Sequence, residues 1–387
     1  MRMLVLAAAF GLFAGAVLAD SDPPPPAWSG VWEGTLGDQK IEACFGVAGD
    51  PDGGSYYYLR HLKLIPLEAP TAPKGTWVEG YDDEKKDAPR WTLAAAGANV
   101  LSGTWSGSGK SLPIRLTRIA LSSPDDADMP CGSAVFTAPR ITATTLTSKP
   151  GVLDGVAFTT LTLNVGAHLD ASIASFALDA TTPGATRINA ALAEPLSKKG
   201  DSGAAEYAEC VADAAGTHAD GEYHVTLKPN LISKHWMVSE EDDEDFCGGA
   251  HPNADEAWKL WDLTSGAAVD PWRWFNADGV TYSNDTTPPF AQAGPKLQKM
   301  LAARWTHKGE CKDVLDGNDS IWDVHPTRRG LAFWPQFPHV VYACSQDVVI
   351  PYAELAPLLN AKGKAAVASI IEDLKTLPPP PAKKRKS

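Results

Sequence analysis

The chain has 387 residues, with 47 acidic against 34 basic side chains and a formal net charge of −13. This balance argues against general nucleic-acid binding. Beyond residue 19 no apolar run reaches the ~20 residues that a membrane-spanning helix needs.

Arg2 precedes an apolar run from Met3 to Ala19 that closes in small residues. That layout reads as a secretory signal peptide over residues 1–19. It implies a periplasmic or secreted protein with no stable membrane insertion after cleavage. The remainder exceeds the ~250–300 residues at which a single core stops growing, so two domains are expected. Residues 20–27 form a stiff Pro-rich leader, and residues 377–387 form a Pro-rich tail ending in basic residues.

Residues 28–118 read as strands. "WSGVWEGTLG", "KIEACFG", "GSYYYLRHLKLIPL", "KGTWVEGY", "RWTLAA" and "LPIRLTRI" alternate apolar and polar residues between glycines and prolines. Period-two alternation with such punctuation predicts a small antiparallel β barrel or sandwich. Tyr56 and Tyr58 share one strand face, where they are candidates for stacking on a sugar, and Tyr57 lies on the other. Residues 119–134 read as a linker.

From 135 the pattern is mixed, and the fold class is α+β. "VFTAPRITATTL" and "GVAFTTLTLNVG" read as strands, and the Ala-rich "ATRINAALAEPL" and "GAAEYAECVADAA" as helices. "EYHVTLKPNLISKHWMV" reads as two strands around a Pro-Asn turn. "GPKLQKMLAARW" is amphipathic, and so is a C-terminal helix over 362–376.

Cys44, Cys131, Cys210, Cys247, Cys311 and Cys344 make an even count in an exported chain, which points to three disulfides. Six cysteines allow fifteen pairings. The expectation is pairing in chain order, 44–131, 210–247 and 311–344, because the cysteines fall two by two along the candidate domains.

"RINAAL", "YHVTLKPNLISKHWMV", "CGGAHPN", "LWDLTSGAAVDPWRWF" and "RRGLAFWPQFPHVVYACSQDVVIPYAELAPLL" follow in order between residues 187 and 359. Over about 135–361 the chain resembles the extracytoplasmic domain shared by the anti-sigma factor RsiV and the N-terminal part of the peptidoglycan deacetylase PdaC. The resemblance implies a domain of unknown function which, in the anti-sigma factor, acts as a receptor for lysozyme. The chain lacks the anti-sigma segment and the deacetylase module, so signalling and deacetylation are not expected to carry over.

"EEDDEDFCGGAHPN", residues 240–253, is the densest candidate site. Glu240, Glu241, Asp242, Asp243, Glu244 and Asp245 are consecutive like charges, which predicts a solvated loop. They lack the alternation and the turning glycine of a tight calcium loop. Gly248 and Gly249 allow positive φ, so a tight turn is expected after Cys247. Pro252 biases His251 toward extended geometry, at the start of a strand. His251 reads first as a structural residue, then as part of a binding surface, and least as a catalytic base. His218, His224, His235, His325 and His339 show no zinc-site spacing, and no cysteines stand in C-x-x-C. "SGSGKS" fails as a phosphate loop because Thr104 stands where its first glycine is required. No catalytic residue, metal or cofactor is assigned.

The leading reading is a non-catalytic cell-envelope binding protein that recognises a basic lysozyme-like protein or a peptidoglycan fragment. The rivals are an envelope glycan hydrolase using His251 with nearby acids, and a structural envelope protein.

Overall fold

The computed structural model describes residues 27–379 apart from 48–49, 70–74, 81–87, 142–143, 167, 198, 200–202, 284–288, 313 and 318–320. The predicted signal peptide, the leader up to Pro26 and the tail beyond residue 379 lie outside the described residues. The protein is mostly β, with a closed antiparallel barrel at the N-terminal end, further sheets and a few helices.

The barrel strands are β1 (Gly30–Leu36), β2 (Gln39–Val47), β3 (Asp50–Tyr58), β4 (Ile65–Glu68), β5 (Thr76–Glu79), β6 (Arg90–Gly97), β7 (Val100–Gly107) and β8 (Lys110–Arg118). Each pairs with the next, and β8 returns to β1. Gly34 and Gly103 permit the close strand approach that so small a barrel requires. A Cβ at Gly34 would stand 1.9 Å from the Arg115 carbonyl oxygen, and one at Gly103 2.0 Å from that of Thr92.

Trp32, Trp77, Trp91, Phe45 and Tyr56 fill the interior. Tyr56 Oη, Trp91 Nε1 and Trp105 Nε1 all donate to Glu79 Oε1, at 2.7, 2.9 and 2.7 Å. Each large ring thus keeps its apolar body in the core while its polar atom finds an acceptor. Tyr56 is 1% exposed, so it is not the surface sugar-stacking residue that its sequence suggested. Tyr58 is half-buried and packs edge-on against Tyr56. Tyr57 is buried too, because the rest of the protein covers the outside of the barrel there.

Within residues 119–134, expected to be a linker, Pro130, Cys131 and Ser133 are buried. Two 3-10 turns lead into α1 (Ala134–Thr137), and Cys131 is fully buried in a disulfide with Cys44. The expected strand "VFTAPRITATTL" is therefore helical at its start, and its strand begins only at Thr145.

A seven-stranded sheet follows, built from β9 (Thr145–Leu153), β10 (Val156–Asn164), β11 (Asp170–Leu178), β12 (Glu222–Ile232), β13 (Trp236–Phe246), β14 (Asn253–Asp262) and β15 (Ala267–Val269). Its order runs from β15 down to β9. Only β11 and β12 pair in parallel, because α2 (Ala185–Leu192) and α3 (Ala204–Gly216) carry the chain back between them. β12 runs straight through Pro229 and Asn230, with a register shift between Pro229 and Leu231 instead of the expected turn. A bulge accommodates the missing proline N–H. The chain turns at Ser233–His235 instead.

The acidic run is not a loop. Residues 240–245 lie inside β13, paired on both sides by β12 and β14. Both neighbours satisfy its backbone, and successive carboxylates project to opposite faces, which halves the charge on each. Lys228 pairs with Glu240 at 2.9 Å on one face, and Lys259 acts on Glu241 on the other.

Beyond the sheet come β16 (Val280–Tyr282), β17 (Ala291–Ala293), α4 (Pro295–Arg304), the three-stranded sheet β18 (Ile321–Pro326), β19 (Leu331–Gln336) and β20 (Val348–Ile350), then α5 (Tyr352–Leu355) and α6 (Ala361–Leu374). Trp272, Trp274, Trp322, Phe333 and Leu355 form their common core. Asp373 docks α6: it is 4% exposed and accepts from Ser233 Oγ, His235 N–H and His235 Nδ1 at 2.9, 2.8 and 2.9 Å. The cysteines pair in chain order, Cys44–Cys131, Cys210–Cys247 and Cys311–Cys344.

Candidate functional site

The turn after β13 is fixed at both ends. Cys247 is held to α3 by Cys210. Gly248 has φ +86°, and a Cβ there would lie 2.2 Å from Thr217 Oγ1, so only glycine fits. A Cβ at Gly249 would make only an ordinary contact, 3.9 Å from the His251 carbonyl oxygen, so nothing nearby requires glycine there. His251 is exposed, two residues before β14 begins, and not itself in the strand. Its ring stacks on that of His339 with centroids 3.6 Å apart. His339 opens the segment His339–Cys344, which Cys311 ties down through Cys344. Two disulfide-anchored segments thus meet through two imidazoles.

Beneath them lies a cavity of about 720 Å³, lined by Asp170, Glu222, His224, Glu244, Asp245, Asn253 and Tyr342 as well as the two stacked rings. His224 Nδ1 is 2.9 Å from Ser172 Oγ, and His224 Nε2 is 3.3 Å from Asp170 Oδ1. These are the residue types of a nucleophilic triad. However, Ser172 is not part of the cavity wall, so the contacts orient His224 within the wall. Burial first, and the acidic neighbours Glu256, Asp255, Asp242 and Glu244 after it, raise the Tyr342 phenol above its ordinary value. Tyr342 therefore offers a neutral hydroxyl.

Asp170 and Glu222 also line a second cavity, of about 370 Å³, whose other wall is Lys63, Leu64 and Pro66 of the barrel. The two cavities adjoin at Asp170 and Glu222, and together they make up the cleft between the stapled turn and the barrel. On the opposite sheet face a smaller cavity of about 180 Å³ takes Glu241 and Asp243, together with Glu194, Glu206 and Lys259. Asp243 is pushed up to about 7, by burial first and then by Asp245, Glu241, Glu206 and Asp255.

The residues singled out in the sequence therefore disperse. His251 and Gly248 belong to the cleft and its rim. Glu240 and Asp242 are engaged with Lys228 at 2.9 and 4.0 Å. Glu241 and Asp243 face the smaller cavity, while Tyr56 and Tyr58 sit in the barrel. Of the other histidines, His325 is 2% exposed and stacked on Trp258, and burial lowers it to about 3. Among the described residues no three His, Cys, Asp or Glu side chains are placed to hold a metal ion. Sequence reasoning missed Asp170, Glu222 and Tyr342. The first two reach the cleft only through the parallel β11–β12 pairing, which no local pattern announces.

No family model matches the chain, and no curated protein matches it. Two solved structures are similar to it. One is a member of the DUF3298 family from Bacteroides fragilis, at 13% identity and a TM-score of 0.37, covering 60% of this chain and 96% of that one. The other is a DUF3298 family protein from Pseudomonas aeruginosa, at 14% identity and a TM-score of 0.34, covering 57% of this chain and 93% of that one.

Proposed function

We propose that this chain is an extracytoplasmic, non-catalytic binding protein that recognises a cationic surface through the cleft between the stapled turn and the barrel. One observation carries the reading. Asp170, Asp220, Glu222, Glu244 and Asp245 line the cleft, and Lys63 is its only lysine or arginine among the described residues. Such a surface complements a basic partner and speeds its encounter. Three disulfides suit an oxidising compartment. The resemblance to RsiV makes a basic lysozyme-type hydrolase the partner to test. The division into a barrel unit over 28–118 and a second unit over 135–361 belongs to the same proposal.

The test is calorimetric titration of a basic lysozyme into the purified protein and into the double variant Glu244→Lys, Asp245→Lys. The expected result is saturable binding that the variant weakens about tenfold or more. Turnover of muropeptides by the pure protein, abolished by His251→Ala, would favour the hydrolase reading and overturn this one.

A further inference from the structure

The barrel meets the rest of the chain at a buried polar knot. Glu42 on β2 is 6% exposed, and Tyr57 on β3 is fully buried. Tyr57 Oη lies 2.8 Å from Glu42 Oε2 and 2.8 Å from the carbonyl oxygen of Phe136 on α1. A phenol has one proton to donate. Facing an ionised Glu42, it can serve the carboxylate or the carbonyl, and the other buried acceptor loses its donor, which is unfavourable. Glu42 Oε1 is buried as well and has no hydrogen-bond partner.

The surroundings do not favour a negative charge. Glu33 stands directly opposite Glu42 in register on β1, and β3 and α1 contribute the Tyr57 hydroxyl and the Phe136 carbonyl. The cation of this junction, Arg140, stands 6.0 Å over the Tyr57 ring with its Nη1 buried and unpartnered, and its ion pair is with Asp220. Its Nη2 lies 2.6 Å from Asp220 Oδ1, and its Nε donates to the Leu62 carbonyl at 3.1 Å.

We infer that Glu42 carries a proton in the folded protein and that this proton latches the barrel to the rest of the chain. Protonated Glu42 Oε2 donates to Tyr57 Oη, and Tyr57 donates to the Phe136 carbonyl, so one relay gives both the Tyr57 oxygen and the Phe136 carbonyl a donor and leaves only a neutral Oε1 without one. Leu64 N–H donates to Asp220 Oδ1 at 2.9 Å in the same junction, and both residues line the barrel end of the cleft. The latch therefore also fixes the spacing of the cleft walls, whatever the cleft binds.

The electrostatics agree with the geometry. Burial is the largest influence and raises Glu42 from 4.5 to about 7; the Tyr57 contact pulls it back and Glu33 adds to the rise. A carboxyl raised on folding stabilises fully below its unfolded value and loses that contribution as pH climbs through its folded one. The folding constant is thus expected to fall by about 100-fold between pH ~4.5 and pH ~7.5 on account of this group.

The test follows the Glu42 side-chain carboxyl carbon by NMR in ¹³C-glutamate-labelled full chain, assigned through its contact with the Tyr57 ring. The expected signal is a protonated acid at pH ~5.5 that titrates near neutrality. A carboxylate signal already present at pH ~5.5, with no step up to pH ~8.5, overturns the inference. In Glu42→Gln the amide replaces the donated proton. The difference between wild-type and variant unfolding profiles should then show the fall with rising pH, and a flat difference contradicts the latch.

Discussion

Asp243 shows what a central strand does to a carboxyl. It faces Asp255 across β13 and β14, and its Oδ1 is buried with no hydrogen-bond partner. Its folded value of about 7 stands above the ordinary 3.8. The sign is that of Glu42: stability is full below pH ~4 and declines as pH rises through ~7. Asp243→Asn is expected to leave the denaturant midpoint unchanged at pH ~4 and to raise it at pH ~8, as measured by urea unfolding. Equal midpoints for variant and parent at the higher pH would contradict this. At this scale the sequence was informative about identity and less so about placement. Gly248 was legible because positive φ has few alternatives. Tyr56 was not, because alternation separates two strand faces without saying which one a barrel encloses.

β13 is the element where local and tertiary preferences part. Six adjacent acids predict a solvated loop, yet pairing on both sides and two lysines hold them in a strand. The β12 bulge at Pro229 and the helical turn at 134–137 depart from the sequence reading in the same way. In each case a packing partner remote in sequence settles the backbone. Elements whose signal is wholly local were legible: most of the barrel strands (β7 went unread, and β3 and β4 were read as one stretch), α3, α4 and the C-terminal helix, which the structure places at Ala361–Leu374. So was the cysteine pairing, which follows chain order at separations of 87, 37 and 33 residues. The Cys210–Cys247 bridge, with a separation of 37 residues, ties the site turn to α3. Replacing both cysteines with alanine is expected to lower unfolding stability by about 2–4 kcal/mol in denaturant titration. No loss would mean that packing alone holds the turn.

At the scale of the whole molecule, the barrel and the seven-stranded sheet both line the cavity of about 370 Å³, which adjoins the larger one at Asp170 and Glu222. The cysteines, the Glu42–Tyr57–Phe136 relay and the Arg140–Asp220 pair all serve that junction or the cleft's rim. The overall charge of −13 has the same sign as the cleft, so encounter and docking favour the same kind of partner. The most direct measurement is the salt dependence of lysozyme binding by the intact protein, between about 0.05 M and about 0.5 M. Recognition through an acidic cleft requires the affinity to fall steeply across that range, with most of the change in the association rate. An affinity that does not respond to salt, or no saturable binding at the lowest salt, would contradict it.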